Sequence, residues 1–257
     1  MKKEINVLAS GNIYFFYRPK VESKQNQKEE VQRFFLVLHP QQSRKYHLII
    51  IGKKHLPQEK GENYFGFVET IKKNKNVLLQ SLTEKRYTTA THGERLLPDS
   101  HCLGAGKFLI ASHDNHTHFI YQLTNPKKIK SAQNEFHIKA EDDYLISVKN
   151  PQIETSKGVG LAEKQKANYP NSLQKKFSDY HFIPLNPTNF LDYEGTELLL
   201  IATSKENLTE RAKEISSCLE RICSDRLLEE FAKITPPEAV APITNPAAKG
   251  DFFAAKS

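Results

Sequence analysis

Three histidines lie within six positions of the stretch ASHDNHTHFIYQL, residues 111 to 123: His113, His116 and His118. Imidazole nitrogens bind zinc, exchange protons near neutral pH, or simply stay hydrated. The stretch therefore has three interpretations. It is a zinc site, a source of acid or base for a hydrolase, or the solvated turn of a hairpin.

The length of the turn decides whether the three rings meet. If Asp114-Asn115 forms a two-residue turn, His113 lies opposite His116, and all three imidazoles share one face with His118. Opposed Cβ atoms are about 5 Å apart, so three nitrogens could reach one zinc at about 2.0 to 2.1 Å. A three-residue turn would move His118 to the other face. We prefer the solvated turn, because a hairpin tip lacks the groups that normally orient metal-binding imidazoles.

A second polar group occurs in the segment Thr91 to Arg95. On a strand His92 and Glu94 would share a face, so the carboxylate could orient an acid-base histidine beside the Arg95 cation. No nucleophile elbow, P-loop or HExxH motif accompanies these residues. The sequence therefore contains no assembled catalytic signature, and it leaves enzymatic activity undecided.

The chain is basic, with a formal net charge of +7 and a pI near 9.1. An acidic protein or a nucleic acid is therefore a candidate partner. Lysine clusters beside the predicted strands could form one polyanion-binding rim. They are Lys53, Lys54, Lys72, Lys73, Lys75, Lys127, Lys128 and Lys130. A solvated edge is the simpler interpretation, since edge lysines prevent pairing between sheets, and the arginines that suit phosphate recognition are scattered.

Short apolar segments separated by turn residues predict strands along most of the chain. VQRFFLVLH and YHLIIIG, joined by a short polar loop, predict an antiparallel hairpin, and TELLLIAT predicts a buried central strand. Residues 152 to 172 have no apolar period and predict a long surface loop. The sequence therefore predicts an α+β fold, with a mainly antiparallel β-sheet or partly closed barrel over residues 10–203.

An amphipathic pattern predicts a long C-terminal helix, residues 204–234, packed on this domain. Its apolar positions are Leu208, Ala212, Ile215, Leu219 and Ile222, then Leu227, Leu228, Phe231 and Ile234. The apolar stripe shifts between these two groups, which favours docking on the domain of a monomer over a dimeric coiled coil. The Pro/Ala-rich residues 235–257 predict a disordered tail.

The composition places the protein among soluble globular proteins. It is 38% hydrophobic, enough for one sizeable core. The three cysteines fit no disulfide framework, and no apolar run approaches the length of about 20 residues that spans a bilayer. We therefore expect a cytoplasmic protein with no transmembrane segment and no cofactor, unless the three histidines bind zinc.

The segments GNIYFFYRPK, VQRFFLVL, HLIIIGKKHLP, DYLISVKNP and LDYEGTELLLI resemble parts of a bacterial family of hypothetical proteins. This resemblance covers about residues 10 to 203 and implies no activity and no functional residue. The function that best fits the sequence is a non-enzymatic binding or adaptor protein with an unknown protein partner. The alternatives are a metal-dependent or histidine-assisted hydrolase and a weak binder of nucleic acid or other polyanions.

Overall fold

The computed structural model describes residues 5–20, 31–89, 93–154, 160–203 and 212–222. Its strands are β1 Asn6–Pro19, β2 Val31–Pro40, β3 Tyr46–Ile51, β4 Asn63–Lys72, β5 Lys85–Thr89, β6 Gly93–Leu97, β7 His101–His113, β8 His116–Asn125, β9 Glu141–Lys149, β10 Phe182–Pro184 and β11 Glu197–Ala202. Its α-helices are α1 Lys75–Leu82, α2 Ser131–Glu135, α3 Asn171–Gln174 and α4 Ala212–Glu220.

Eight of these strands close into a barrel. The strand order is β9, β11, β4, β3, β2, β1, β7, β8, and β8 pairs with β9 to complete the ring. Every pairing between these neighbours is antiparallel. The short strand β10 continues along β9 beyond the end of β8, and β5 and β6 form a separate hairpin. The prediction of a mainly antiparallel β fold is confirmed, and the barrel is closed.

Aromatic side chains fill the barrel interior. Phe15, Tyr17, Phe108 and Tyr121 belong to one buried cluster and are 0% exposed. An eight-stranded barrel has an interior that side chains just fill, so alternate residues of each strand meet there. Phe136, which follows α2, packs against Tyr17 with ring centroids 5.3 Å apart. Ligands are therefore expected outside the barrel wall.

Two further apolar clusters lie on the outer face. Leu78 and Leu82 of α1 cover a stripe of β1, β2, β3 and β4 that includes Phe16 and Phe35. Elsewhere α4 packs on β7 and β8. That contact joins Ile215, Leu219 and Ile222 to Leu109, Ala111 and Ile120. No helix in the described ranges is long and apolar enough to cross a membrane.

One sequence prediction needs correction here. A long C-terminal helix is not supported, since α4 has nine residues and the chain turns at Ile222, whose N–H donates to the carbonyl of Leu219. An apolar stripe indicates which face of a helix would be buried, and it does not by itself set where the helix ends. Residues 204–211 and 223–257, including the predicted tail, lie outside the described residues.

The loop predicted over residues 152 to 172 has three buried side chains in its described part, residues 152–154 and 160–172. Leu161, Ala167 and Tyr169 are each at most 8% exposed. The ring of Tyr169 packs edge to face against Phe190, and its hydroxyl donates to Thr196 at 2.9 Å. The described part contains the 3-10 helix Glu163–Gln165, and these buried side chains anchor it to the domain.

Lys149 and Glu197 form a buried ion pair between β9 and β11. Lys149 Nζ lies 2.7 Å from Glu197 Oε2, and the side chains are 2% and 1% exposed. Removing one partner leaves a buried charge, so we expect Lys149→Met to lower the free energy of unfolding by about 3 to 5 kcal/mol. Urea unfolding measures this, with Lys127→Met as the exposed control. The double variant Lys149→Met/Glu197→Leu should recover most of the loss, and a single variant as stable as wild type would contradict the expectation.

Asp192 links the 3-10 helix Thr188–Asp192 to the start of β3. His47 Nε2 lies 3.0 Å from Oδ1 and Lys45 Nζ lies 2.8 Å from Oδ2. The hydrogen bond from His47, followed by the contact with Lys45, lowers the pKa of Asp192 to about 2. The unfolded chain has a carboxyl pKa of about 3.9. This carboxylate therefore stabilises the fold above that pH, and the stabilisation is lost as the pH falls through the folded pKa.

We expect the difference in unfolding free energy between wild type and Asp192→Asn to be constant above about pH 5 and to shrink between about pH 4 and pH 2. Urea titrations at several pH values measure that difference. A difference that persists undiminished at the acid end would show that the charge of Asp192 is not its source.

Candidate functional site

The histidine hairpin has the register that the two-residue turn predicts. His113 pairs with His116 and Ala111 pairs with His118, while Asp114 adopts a left-handed φ of 52°. Aspartate tolerates this conformation better than most residues, which explains why the turn is so short. The three imidazoles therefore start from the same face of the hairpin.

The rings nevertheless turn to different partners. His118 Nδ1 lies 3.0 Å from both carboxylate oxygens of Asp143, which is 2% exposed on β9. His113 Nε2 lies 3.3 Å from Asp114 Oδ2, and its ring centroid is 6.4 Å from that of His118. His116 is exposed and lines an open cleft of about 590 Å³. The geometry does not bring the three nitrogens together.

Across the described part of the chain, no group of three or more His, Cys, Asp or Glu side chains is placed to hold a metal ion. The expectation that the hairpin offers no orienting group is wrong for His118, because β9 supplies Asp143. Thr203 donates to the Asp143 backbone carbonyl at 3.1 Å and so holds the same strand in place. The contact between His118 and Asp143 joins β8 to β9 and has a structural role.

The predicted lysine rim does not form one surface. Lys53 follows β3, and Lys127, Lys128 and Lys130 follow β8, so both groups lie at the same end of the barrel. Lys72, Lys73 and Lys75 lie at the opposite end, because Lys72 pairs with Tyr46 at the start of β3. Lys54 is 5% exposed, and its ammonium donates to the Val31 carbonyl at 3.2 Å, so it is not available at a rim.

The second polar group is described only in part. His92 lies outside the described residues. Glu94 is exposed on β6, where it pairs with Thr88, and Arg95 pairs with Tyr87. Its acid-base role stays a prediction.

The structure instead pairs two buried arginines on the outer face of the barrel. Arg18 on β1 lies directly opposite Arg33 on β2, and each is 6% exposed. Arg18 Nε donates to Ser100 Oγ at 3.0 Å, and its Nη2 donates to the carbonyl of Ser81 at 2.9 Å. The two residues extend the outer apolar stripe, so their stems are buried beneath α1 and the β5–β6 hairpin.

One carboxylate accompanies the arginine pair. Glu69 is an extra residue of β4 between Val68 and Thr70, which pair with consecutive residues of β3. Such a bulge re-aims a side chain, and here Glu69 accepts from Arg33 Nη1 at 3.3 and 3.4 Å. The buried Arg33 Nε has no hydrogen-bond partner.

A cavity of about 260 Å³ adjoins these groups. Its charged lining residues are Arg18, Arg33, Lys72, Lys85 and Glu69. Four cations thus face one carboxylate. Burial, and then the nearby charge of Arg33, lower the pKa of Arg18 to about 10, while Glu69 and Asp99 oppose the shift. The cavity is therefore an electropositive pocket with an unused charged donor, and we name it the arginine pocket.

Sequence reasoning missed the arginine pocket because its parts are far apart in the chain. Arg18 lies near the end of β1 and Arg33 near the start of β2, so only the register of this strand pair could have indicated that they lie opposite each other. The bulge at Glu69 has no glycine to mark it, so its carboxylate could not be assigned to Arg33.

Comparison of this chain with protein-family models, curated proteins and solved structures finds no match. The resemblance to a bacterial family therefore stays a prediction and assigns no residue to a site. The arginine pocket is supported by its own geometry.

The hairpin predicts a contrast between two neighbouring histidines. We expect His118→Ala to lower the free energy of unfolding by about 1 to 3 kcal/mol, because the buried Asp143 carboxylate loses a partner. His116→Ala removes an exposed ring and should leave stability within about 0.5 kcal/mol of wild type. Denaturant unfolding of both variants measures the contrast, and equal stabilities would contradict a structural role for His118.

Proposed function

We propose that this protein is a non-enzymatic binding protein whose ligand presents a small oxyanion, a phosphate or a carboxylate, to the arginine pocket. One observation supports this most strongly. The Nε of Arg33 is buried beside a second buried guanidinium and lacks an acceptor. A buried charged donor without a partner costs about 1 to 3 kcal/mol or more, and an oxyanion would supply the acceptor.

The chemistry of the pocket suits an oxyanion in particular. A guanidinium presents several N–H donors in a planar fork, which matches the oxygens of a phosphate or carboxylate. Glu69 accepts from Nη1 of Arg33, which leaves the buried Nε of the same guanidinium without an acceptor. Lys72 and Lys85 add two further cations to the lining. A bound anion would offset the excess positive charge of these lining residues.

The size of the pocket argues for a small group over a nucleic-acid backbone. A cavity of about 260 Å³ accommodates one oxyanion with a few waters, since a water takes about 30 Å³ of liquid volume. A polyanion needs a continuous basic surface, whereas the predicted lysine clusters are divided between the two barrel ends.

Two further parts of the proposal are a cytoplasmic location and a monomeric state. Cys102 and Cys218 are free thiols, and burial raises the pKa of Cys102 to about 12. Unpaired cysteines suit a reducing compartment. The docking of α4 on β7 and β8 within one chain agrees with a monomer. A histidine-assisted hydrolase is not part of the proposal, since the hairpin imidazoles face separate partners.

Isothermal titration with inorganic phosphate, and separately with acetate, tests the proposal. We expect wild type to bind one phosphate per chain. Lys72→Met should weaken binding by about three- to tenfold, whereas Lys73→Met, which removes the same charge one residue outside the lining, should leave it unchanged. Tighter binding of acetate than of phosphate would identify a carboxylate ligand.

Variants of Arg33 and Glu69 test the pocket independently of its lysines. Arg33→Met should weaken binding by at least about tenfold. Glu69→Gln keeps both guanidiniums and removes the competing carboxylate, so it should bind phosphate more tightly. The proposal is wrong if wild type binds neither anion, or if Lys72→Met and Lys73→Met weaken binding equally.

A further inference from the structure

An open cleft of about 590 Å³ lies between the tip of the histidine hairpin and β10, and its volume is in the range of small-molecule sites. The hairpin wall includes Thr117 and the exposed His116. The opposite wall includes Tyr180, Phe182 and Asn186. None of these residues lines the arginine pocket, so the cleft is a second candidate for a ligand.

The cleft opens where two strands share one edge of β9. On this edge β8 pairs with β9 from His118 onward, and β10 occupies the next stretch. After β10, the N–H of Leu185 donates to the carbonyl of Ile146 at 3.2 Å. The first residues of β8 therefore diverge from β9, and the hairpin tip and β10 become the two walls of the cleft.

The backbone polar groups of Phe182 point away from β9. The His181 carbonyl accepts from the Asn150 N–H at 2.8 Å, and the Leu185 N–H donates to Ile146, so both residues direct these groups toward β9. Because this direction alternates along an antiparallel strand, the N–H and C=O of Phe182 point to the other edge of β10. That edge pairs with no strand in the described ranges. It offers one donor and one acceptor side by side.

An added peptide strand would pair with only this one residue of β10. Pro184 is the next residue that points the same way, but it has no N–H, and its carbonyl already accepts from Asn186 at 2.7 Å. Short edge strands that contain proline are features that prevent strand addition. Two adjacent hydroxyls of a small molecule would instead satisfy Phe182, one accepting from its N–H and the other donating to its C=O.

The hairpin wall contributes a hydroxyl that no described residue satisfies. Thr117 is 2% exposed, and its Oγ1 is buried without a hydrogen-bond partner. Because Thr117 lines the cleft, a change between staggered χ1 rotamers could present the hydroxyl to a ligand there. A hydroxyl both donates and accepts, so it suits a ligand that carries hydroxyls of its own.

An exposed aromatic ring completes the cleft. Tyr180 is 69% exposed and is the most exposed large apolar side chain among the described residues. Its backbone is fixed on both sides, since its N–H donates to Phe177 at 2.8 Å and its carbonyl accepts from Asn150 Nδ2 at 3.3 Å. The face of an aromatic ring carries partial negative charge, which attracts the C–H groups on one face of a sugar ring.

We infer that this cleft binds a neutral saccharide, with its ring stacked on Tyr180 and its hydroxyls bonded to the Phe182 backbone and to Thr117. A saccharide combines an apolar C–H face with hydroxyls that both donate and accept. Asp114 and Lys176, the charged residues of the lining apart from any protonated histidine, have opposite signs, which favours an uncharged ligand over an anion. The site is independent of the proposed oxyanion function.

Saturation-transfer difference NMR of the full chain with glucose, galactose, mannose and N-acetylglucosamine tests the inference. At least one of these sugars should bind. Tyr180→Ala should weaken its binding by about tenfold or more, whereas Tyr180→Phe keeps the ring and should retain it. Tyr87→Ala is the matched control, because it removes a partly exposed tyrosine from β5, outside the cleft.

Thr117→Val separates a binding role from a structural one. Valine removes a hydroxyl that has no partner, so urea unfolding should show a stability no lower than that of wild type. Sugar binding should weaken by about three- to tenfold. Arg33→Met should retain sugar binding, which separates this inference from the oxyanion proposal. The inference is overturned if none of the four sugars binds, if Tyr180→Ala and Tyr87→Ala bind equally well, or if Thr117→Val binds as wild type does.

Discussion

An eight-stranded barrel has little room inside, and its own side chains occupy that room here. Phe15, Tyr17, Phe108 and Tyr121 are fully buried within the ring of strands, and Phe136 packs against this core. Interior packing stabilises the fold and removes the barrel lumen as a place for a ligand. Chemistry in the described residues is therefore found on the outer wall and at the strand ends.

Different elements cover different parts of the outer wall of the barrel. Beneath α1 an apolar stripe continues into Arg18 and Arg33, so two guanidiniums are withdrawn from water by the same elements that cover Phe16 and Phe35. The bulge at Glu69 compensates one of these charges and leaves the other edge of Arg33 without an acceptor. The electropositive character of the pocket thus follows from burial of cations, whereas the net charge of the chain is carried mainly by its lysines.

Local parts of the fold could be predicted from sequence. Asp114-Asn115 fixes the register of its hairpin, because turn chemistry acts over two residues. Closure of the barrel depends on pairing β8 with β9, and the partner of His118 comes from that strand, so neither could be assigned from local pattern. The separate orientations of His113 and His118 depend on single carboxylates, which strand alternation does not locate. The apolar stripe near the C-terminus predicted a helix that packs on the domain. The predicted helix was longer than the nine residues of α4.

The central claim is that Arg33 Nε is an unused donor for an oxyanion. A crystal structure of the protein soaked in selenate tests this most directly, because selenate has the shape of sulfate and its selenium is located by anomalous scattering. The account predicts a selenium peak between Arg18 and Arg33, with a selenate oxygen within hydrogen-bond distance of Arg33 Nε. Selenate bound only at other surfaces, or an Arg33 Nε that donates to a protein acceptor, would contradict it.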